Sequence, residues 1–161
     1  AFHPMLVFAQ GENSIDSTLK KFNAFRAAAG LMPAKLSTKL SDNCAKHAKY
    51  LVVNKKSKKT EGLLAHKEFP TLKGYSKEGA LAGQRSVIHF VGPVEALDGW
   101  IKSFYHRVPM LQPNLESIGI GYAADSSYQV CLLDCISGLA KGGPNTEIVY
   151  YPAPGQVDVP L

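Results

Sequence analysis

The sequence predicts an α+β domain, helices first and a mostly antiparallel sheet after them, on three observations. Apolar residues recur at three- and four-residue steps through the first half, as in Ile15, Leu19 and Phe22 and again in Leu40, Cys44, Ala48 and Leu51. From Ser117 the pattern changes: Ile118-Gly119-Ile120-Gly121-Tyr122 alternates large and small residues, and Tyr128 to Ile136 is rich in apolar ones. The length, 161 residues with 45% apolar, suits a single domain with a real core.

Residues 1–13 carry no period and read as an arm. A first helix is expected from Ser14, with Gly30 as its stop and Pro33 just beyond. Ser37 is a good N-cap for a second helix running to about Asn54. Residues 55–84 read as a long irregular connection punctuated by Gly62, Pro70, Gly74, Gly79 and Gly83, and loops of that length are often functional. A short strand is predicted over Ser86–Val91. Gly92-Pro93 then opens a third helix, which buries Val94, Leu97, Trp100, Ile101 and Phe104 and ends at Pro109 and Pro113. Ala124-Asp125-Ser126-Ser127 is a hairpin turn between two strands. A third strand is expected over Glu147–Tyr151. The domain proper is placed at 14–151, and 152–161 forms a Pro/Gly-rich tail, of the kind that leads on to a further region in a longer protein.

The net charge of +5 raises nucleic acid as a partner, but the dense basic run, Lys55-Lys56-Ser57-Lys58-Lys59, has no interleaved aromatic rings to stack on bases. It reads first as a solvated loop and second as a weak attractor of anionic surfaces. No apolar stretch approaches the roughly 18 residues needed to cross a bilayer. Of the three cysteines, Cys131 and Cys135 would stand roughly 13 Å apart on one strand, too far for a disulfide. A bridge from Cys44 to either of them stays open.

Four phrases, in this order, resemble the CAP superfamily, whose members include cysteine-rich secretory proteins, antigen 5 and pathogenesis-related proteins. They are Phe22-Asn23-Ala24-Phe25-Arg26 with Gly30-Leu31; Cys44-Ala45-Lys46-His47-Ala48; His66 with Gly74-Tyr75 and Lys77-Glu78-Gly79-Ala80; and Trp100 to Arg107 followed by Ile118-Gly119-Ile120-Gly121-Tyr122. The resemblance covers about residues 15–136 and is nearest to bacterial members. It implies an α-β-α sandwich with a three- or four-stranded sheet between helical layers, and a life outside the cytoplasm, secreted or at the cell surface. It also implies a cleft of two histidines and two acidic residues that can hold a divalent metal such as zinc, with no nucleotide cofactor. By position His66 and His106 match the histidines and Glu78 one glutamate. The second glutamate is missing, because its place three residues after Trp100 is Ser103.

His66, Glu78 and His106 make a plausible zinc set with an open position for water, and such a set needs neutral imidazoles. Their separations match no local zinc motif. Ser103 and His106, three apart, also sketch a nucleophile and base with Glu78 as orienter, although no GxSxG elbow is present. Glu68 is a reserve carboxylate for the cleft, and Glu95 and Asp98 are others. His47, His89 and Trp100 read as structural. Three functions follow as expectations: binding of a small ligand, lipid, peptide or cell-envelope polymer; hydrolysis by metal- or histidine-activated water; or a structural or adhesive role within a larger surface protein.

Overall fold

The computed structural model of the protein describes residues 5–142, 148–157 and 159, with side chains from Ile15 onward. Helix α1 spans Met5–Ala28, so residues 5–13, expected as an arm, are helical from Met5. The packing period begins only at Ile15, and Gly11 and Asn13 are weak helix formers, so spacing alone placed the start near Ser14. The stop is as expected. Gly30 adopts φ +74°, and Leu31 N–H donates to Arg26 O while Gly30 N–H donates to Ala27 O. That pair of bonds closes the helix end in a Schellman motif.

Helix α2, Thr38–Val53, follows the prediction closely: the Ser37 hydroxyl accepts from Leu40 N–H and Asn54 closes the end. The connection after it is more ordered than expected. Two short 3-10 turns, Lys58–Thr60 and Gly62–His66, precede helix α3, Lys77–Arg85, which is capped by Ser76. The predicted third helix is two helices, α4 (Pro93–Lys102) and α5 (Phe104–Met110). The chain breaks at Ser103, which is extended (φ −92°, ψ 127°), and Pro109 lies inside α5.

The sheet has four strands: β1 (Lys35–Leu36), β2 (Ser86–His89), β3 (Ser117–Ala124) and β4 (Gln129–Asp134). Their order is β1-β3-β4-β2, with β1 parallel to β3 and the other pairs antiparallel. The two-residue β1 is too short for a period to reveal it. The edge of β3 that β1 leaves open is met by α2: Ser37 N–H donates to Ile118 O, and the Ser41 hydroxyl accepts from Ile120 N–H. The strand expected over Glu147–Tyr151 is not formed at residues 148–151, and Glu147 lies outside the described residues. Val149 and Tyr151 instead pack as single side chains on the core.

Side chains alternate across the sheet into two cores, giving the expected α-β-α sandwich. On one face Ile118, Ile120, Cys131 and Leu133 meet Phe22 of α1, Leu97, Trp100 and Ile101 of α4, and Met110 of α5. On the other, Val130 and Leu132 meet Cys44, Ala48 and Leu51 of α2 and Ala82 of α3. This separation answers the disulfide question: Cys44 packs on one face while Cys131 and Cys135 pack on the other. All three are free, buried thiols. Burial raises the thiol pKa of Cys44 to about 12, which leaves it unreactive at neutral pH.

The small residues of β3 set how closely α2 approaches. A Cβ on Gly121 would meet the backbone of Cys44 and Ala45, and one on Gly119 the backbone of Leu40. Backbone cannot swing aside as a side chain can. Gly121→Ala should therefore destabilise the fold by about 2–3 kcal/mol through overpacking, read as a lower urea midpoint at unchanged slope. A midpoint equal to wild type would mean that α2 does not rest on this strand.

Candidate functional site

The break at Ser103 shapes the site. As N-cap of α5, Ser103 would ordinarily bond a backbone N–H in the first turn, but it makes no such bond. Its hydroxyl lies instead 2.9 Å from His106 Nδ1, three residues on. The pair faces one way as the spacing predicted, across a helix start rather than along a continuous helix.

His66 ends the second 3-10 turn, and its Nδ1 lies 2.9 Å from Gly83 O. A carbonyl only accepts, so Nδ1 carries the proton and the neutral ring presents a lone pair at Nε2. His89, at the end of β2, accepts from Phe90 N–H at Nδ1 and stands edge-on to Trp100. The pKa of His106 is lowered, first by burial and then by the charges that His66 and His89 would carry. His106 therefore lies within electrostatic range of two other half-buried imidazoles. His89 was read from the sequence as structural; nothing local in the sequence marks it, because β2 and the chain reversals around it bring it to this site.

Glu78 does not join them. It is exposed in the first turn of α3, 3.6 Å from Lys46 Nζ. Its pKa is lowered, first by its own backbone N–H and then by the Lys46 ammonium. Among the described residues no three His, Cys, Asp or Glu side chains stand close enough to share a metal ion. The donor set as arranged thus does not fit a three-ligand zinc, and among the described residues Ser103–His106 has no carboxylate bonded to it.

Two of the three reserve carboxylates, Asp98 and Glu68, are also engaged elsewhere. Asp98 pairs with Lys21 at 2.6 Å. Glu68, offered as a substitute for the cleft, is buried against His47, with both side chains 0% exposed. Glu68 Oε1 lies 3.0 Å from His47 Nδ1, and Oε2 accepts from Ser76 N–H at 2.7 Å. His47 Nε2 lies 2.8 Å from Ala65 O, so it must donate there. His47 is structural, as expected, and it bonds the residue directly before His66. Trp100 is a core residue, 1% exposed. Arg107 donates to Ile101 O and covers the Tyr151 ring. Two grooves lie elsewhere, one between α5 and Val149–Tyr151, the other beside the β3–β4 hairpin; neither includes His66 or His106.

The CAP family model, that of the cysteine-rich secretory protein family, matches residues 19–135. Among solved structures, an extracellular protein containing an SCP domain from Bacillus anthracis str. Ames is similar, with 15% identity and a TM-score of 0.59. The match covers 83% of this chain and 44% of that one, so this chain spans less than half of that protein. An outer surface protein from Borrelia burgdorferi matches with 11% identity and a TM-score of 0.58, over 75% of this chain and 90% of that one. At such identities the likeness speaks for the fold alone. No curated protein matches.

Proposed function

Because the chain belongs to the CAP family of cysteine-rich secretory proteins, we propose that it is an extracytoplasmic binding domain whose histidine cleft takes a small ligand or a cell-envelope component. The observation that carries this reading is the anchoring of two imidazoles. His66 is held through Gly83 O and His106 through the Ser103 hydroxyl, each by Nδ1, which leaves both Nε2 atoms for a guest. Preorganised polar groups of this kind fix the orientation of a bound molecule. The extracellular and outer-surface descriptions of the Bacillus and Borrelia relatives support the setting.

The guest meets a neutral His106 ring at pH 7. With its pKa lowered in the folded state, His106 takes up a proton later than it does in the unfolded chain as pH falls. The unfolded state then binds more protons, so stability declines as pH drops below about 6.5, the ordinary histidine value. NMR titration of the ring should place His106 below that value and move it upward in His89→Asn. An unshifted His106, indifferent to His89, would remove the cluster on which the reading rests. In the same spectra a short-chain phospholipid or a cell-wall muropeptide should move His66 and His106 together. Zinc chloride should bind the wild type no more tightly than it binds His66→Ala/His106→Ala. A tight zinc site lost in that double variant would replace this reading.

The hydrolase reading has one observation in its favour, the Ser103–His106 contact, which has nucleophile–base geometry. It requires ester turnover that vanishes in both Ser103→Ala and His106→Ala.

A further inference from the structure

Charge is distributed unevenly along this chain. Residues 44–77 hold nine lysines and two glutamates, so they carry +7 while the rest of a +5 chain is slightly acidic. One of those glutamates, Glu68, is buried on His47. The fold folds the two ends of this segment together, since Asn54 Nδ2 donates both to Tyr50 O at the end of α2 and to Lys73 O. Lys46 and Lys55 have carboxylate partners in Glu78 and Asp125. Lys49, Lys56, Lys58, Lys67 and Lys73 are exposed and have no carboxylate within ion-pair distance among the described residues.

Within this basic rim stands an apolar tip. Leu63 is 86% exposed and Leu64 is 39% exposed, on the 3-10 turn between Lys58-Lys59 and Lys67. The turn is built rather than loose. The Thr60 hydroxyl donates toward Asn54 O and Ser57 O, and Phe69 N–H donates to the Tyr50 hydroxyl. A rigid display lowers the ordering cost of binding.

We propose that this corner docks the domain on an anionic phospholipid bilayer, with Leu63 entering the headgroup region and the surrounding lysines facing lipid phosphates. Apolar side chains burying at the acyl boundary, with cations held by anionic lipid, are the two components of reversible surface binding. A soluble polyanion would satisfy the lysines and leave Leu63 without a role. A nucleic acid would call for stacking rings, and the Phe69 face is already covered by Lys59 at 5.1 Å. His66 lies three residues past Leu63, so a docked domain holds its cleft close to the lipid surface.

The test is co-sedimentation with vesicles of phosphatidylcholine alone and of phosphatidylcholine mixed equally with phosphatidylglycerol. The expected result is binding to the mixed vesicles only, weakening as salt rises. Lys56→Glu/Lys58→Glu and, separately, Leu63→Asp should each reduce partitioning by about tenfold or more. All three positions are exposed, so circular dichroism should show both variants folded. Absence of binding to mixed vesicles overturns the proposal. So does binding that Leu63→Asp leaves intact; if dextran sulfate then competes fully, the surface is a polyanion site instead.

Discussion

Glu68→Ala should cost about 3–5 kcal/mol of folding stability, because it leaves one partner of a fully buried hydrogen-bonded pair alone. His47 Nε2 donates to Ala65 O, so a proton is committed there. A second proton lies between Nδ1 and Glu68 Oε1. With the Glu68 carboxyl gone, His47 Nδ1 is left without its partner, and Ser76 N–H loses its acceptor at the cap of α3. The measurement is urea unfolding of Glu68→Ala, His47→Leu and the double variant. The double variant should cost less than the sum of the singles by about 1–3 kcal/mol, since each single strands the other's partner. Additive losses would show that the two groups act independently. The single variants should also disturb the His66 ring resonance, because His47 bonds the residue before His66 and its ring lies against Gly83, whose carbonyl holds His66.

Arg26→Met should be the most damaging single substitution in the chain. The Arg26 side chain is 0% exposed and has no carboxylate partner among the described residues. Its guanidinium donates to four carbonyls: Met32 O at 2.8 Å, Met110 O at 2.9 Å, Gln112 O at 3.0 Å and Leu115 O at 3.3 Å. It thereby ties α1 to the end of α5 and to the segment leading into β3, where the last carbonyls of a helix carry partial negative charge. Burial lowers its pKa without removing the charge, as no protein environment readily does. Hydrogen bonds to a charged group contribute about 1.5–3 kcal/mol each, and total stability of such a domain is about 5–15 kcal/mol. The methionine variant should therefore fail to give a folded protein. Arg26→Lys keeps the charge but cannot span the four carbonyls with one ammonium; it should fold with about 2–4 kcal/mol less stability. A lysine variant with a wild-type denaturation midpoint would show that the fork geometry is irrelevant.

The sequence announces those parts of this fold whose signals are local. Helix α2 has its cap, its stripe and its stop within one short stretch, and the β3–β4 hairpin has its turn residues in place. Helix α3 was hidden by Gly79 and Gly83, which read as loop punctuation. Each is small for a tertiary reason: a Cβ on Gly79 would strike the Glu68 carboxylate, and one on Gly83 the His47 ring. The break at Ser103 was equally invisible, since the apolar period runs through it. The site was legible to the same extent. Ser103 and His106 were within reach of a helical spacing argument. The pairing of His66 with His106 was an expectation of the family resemblance alone, while the approach of His89 to His106, the diversion of Glu78 to Lys46 and the sinking of Glu68 onto His47 all depend on how distant segments pack.

The margins of the sheet bear on how the domain behaves in company. Exposed strand edges are templates on which other chains can add backbone hydrogen bonds. Here one margin is the four-residue β2 and the other is the two-residue β1, beyond which α2 supplies Ser37 and Ser41 to the free side of β3. Neither margin is long enough to seed the stacking of identical strands that underlies fibre formation. At β1 and β2 the domain accordingly offers its neighbours little strand edge to pair with when it is crowded, tandemly linked or concentrated on a surface.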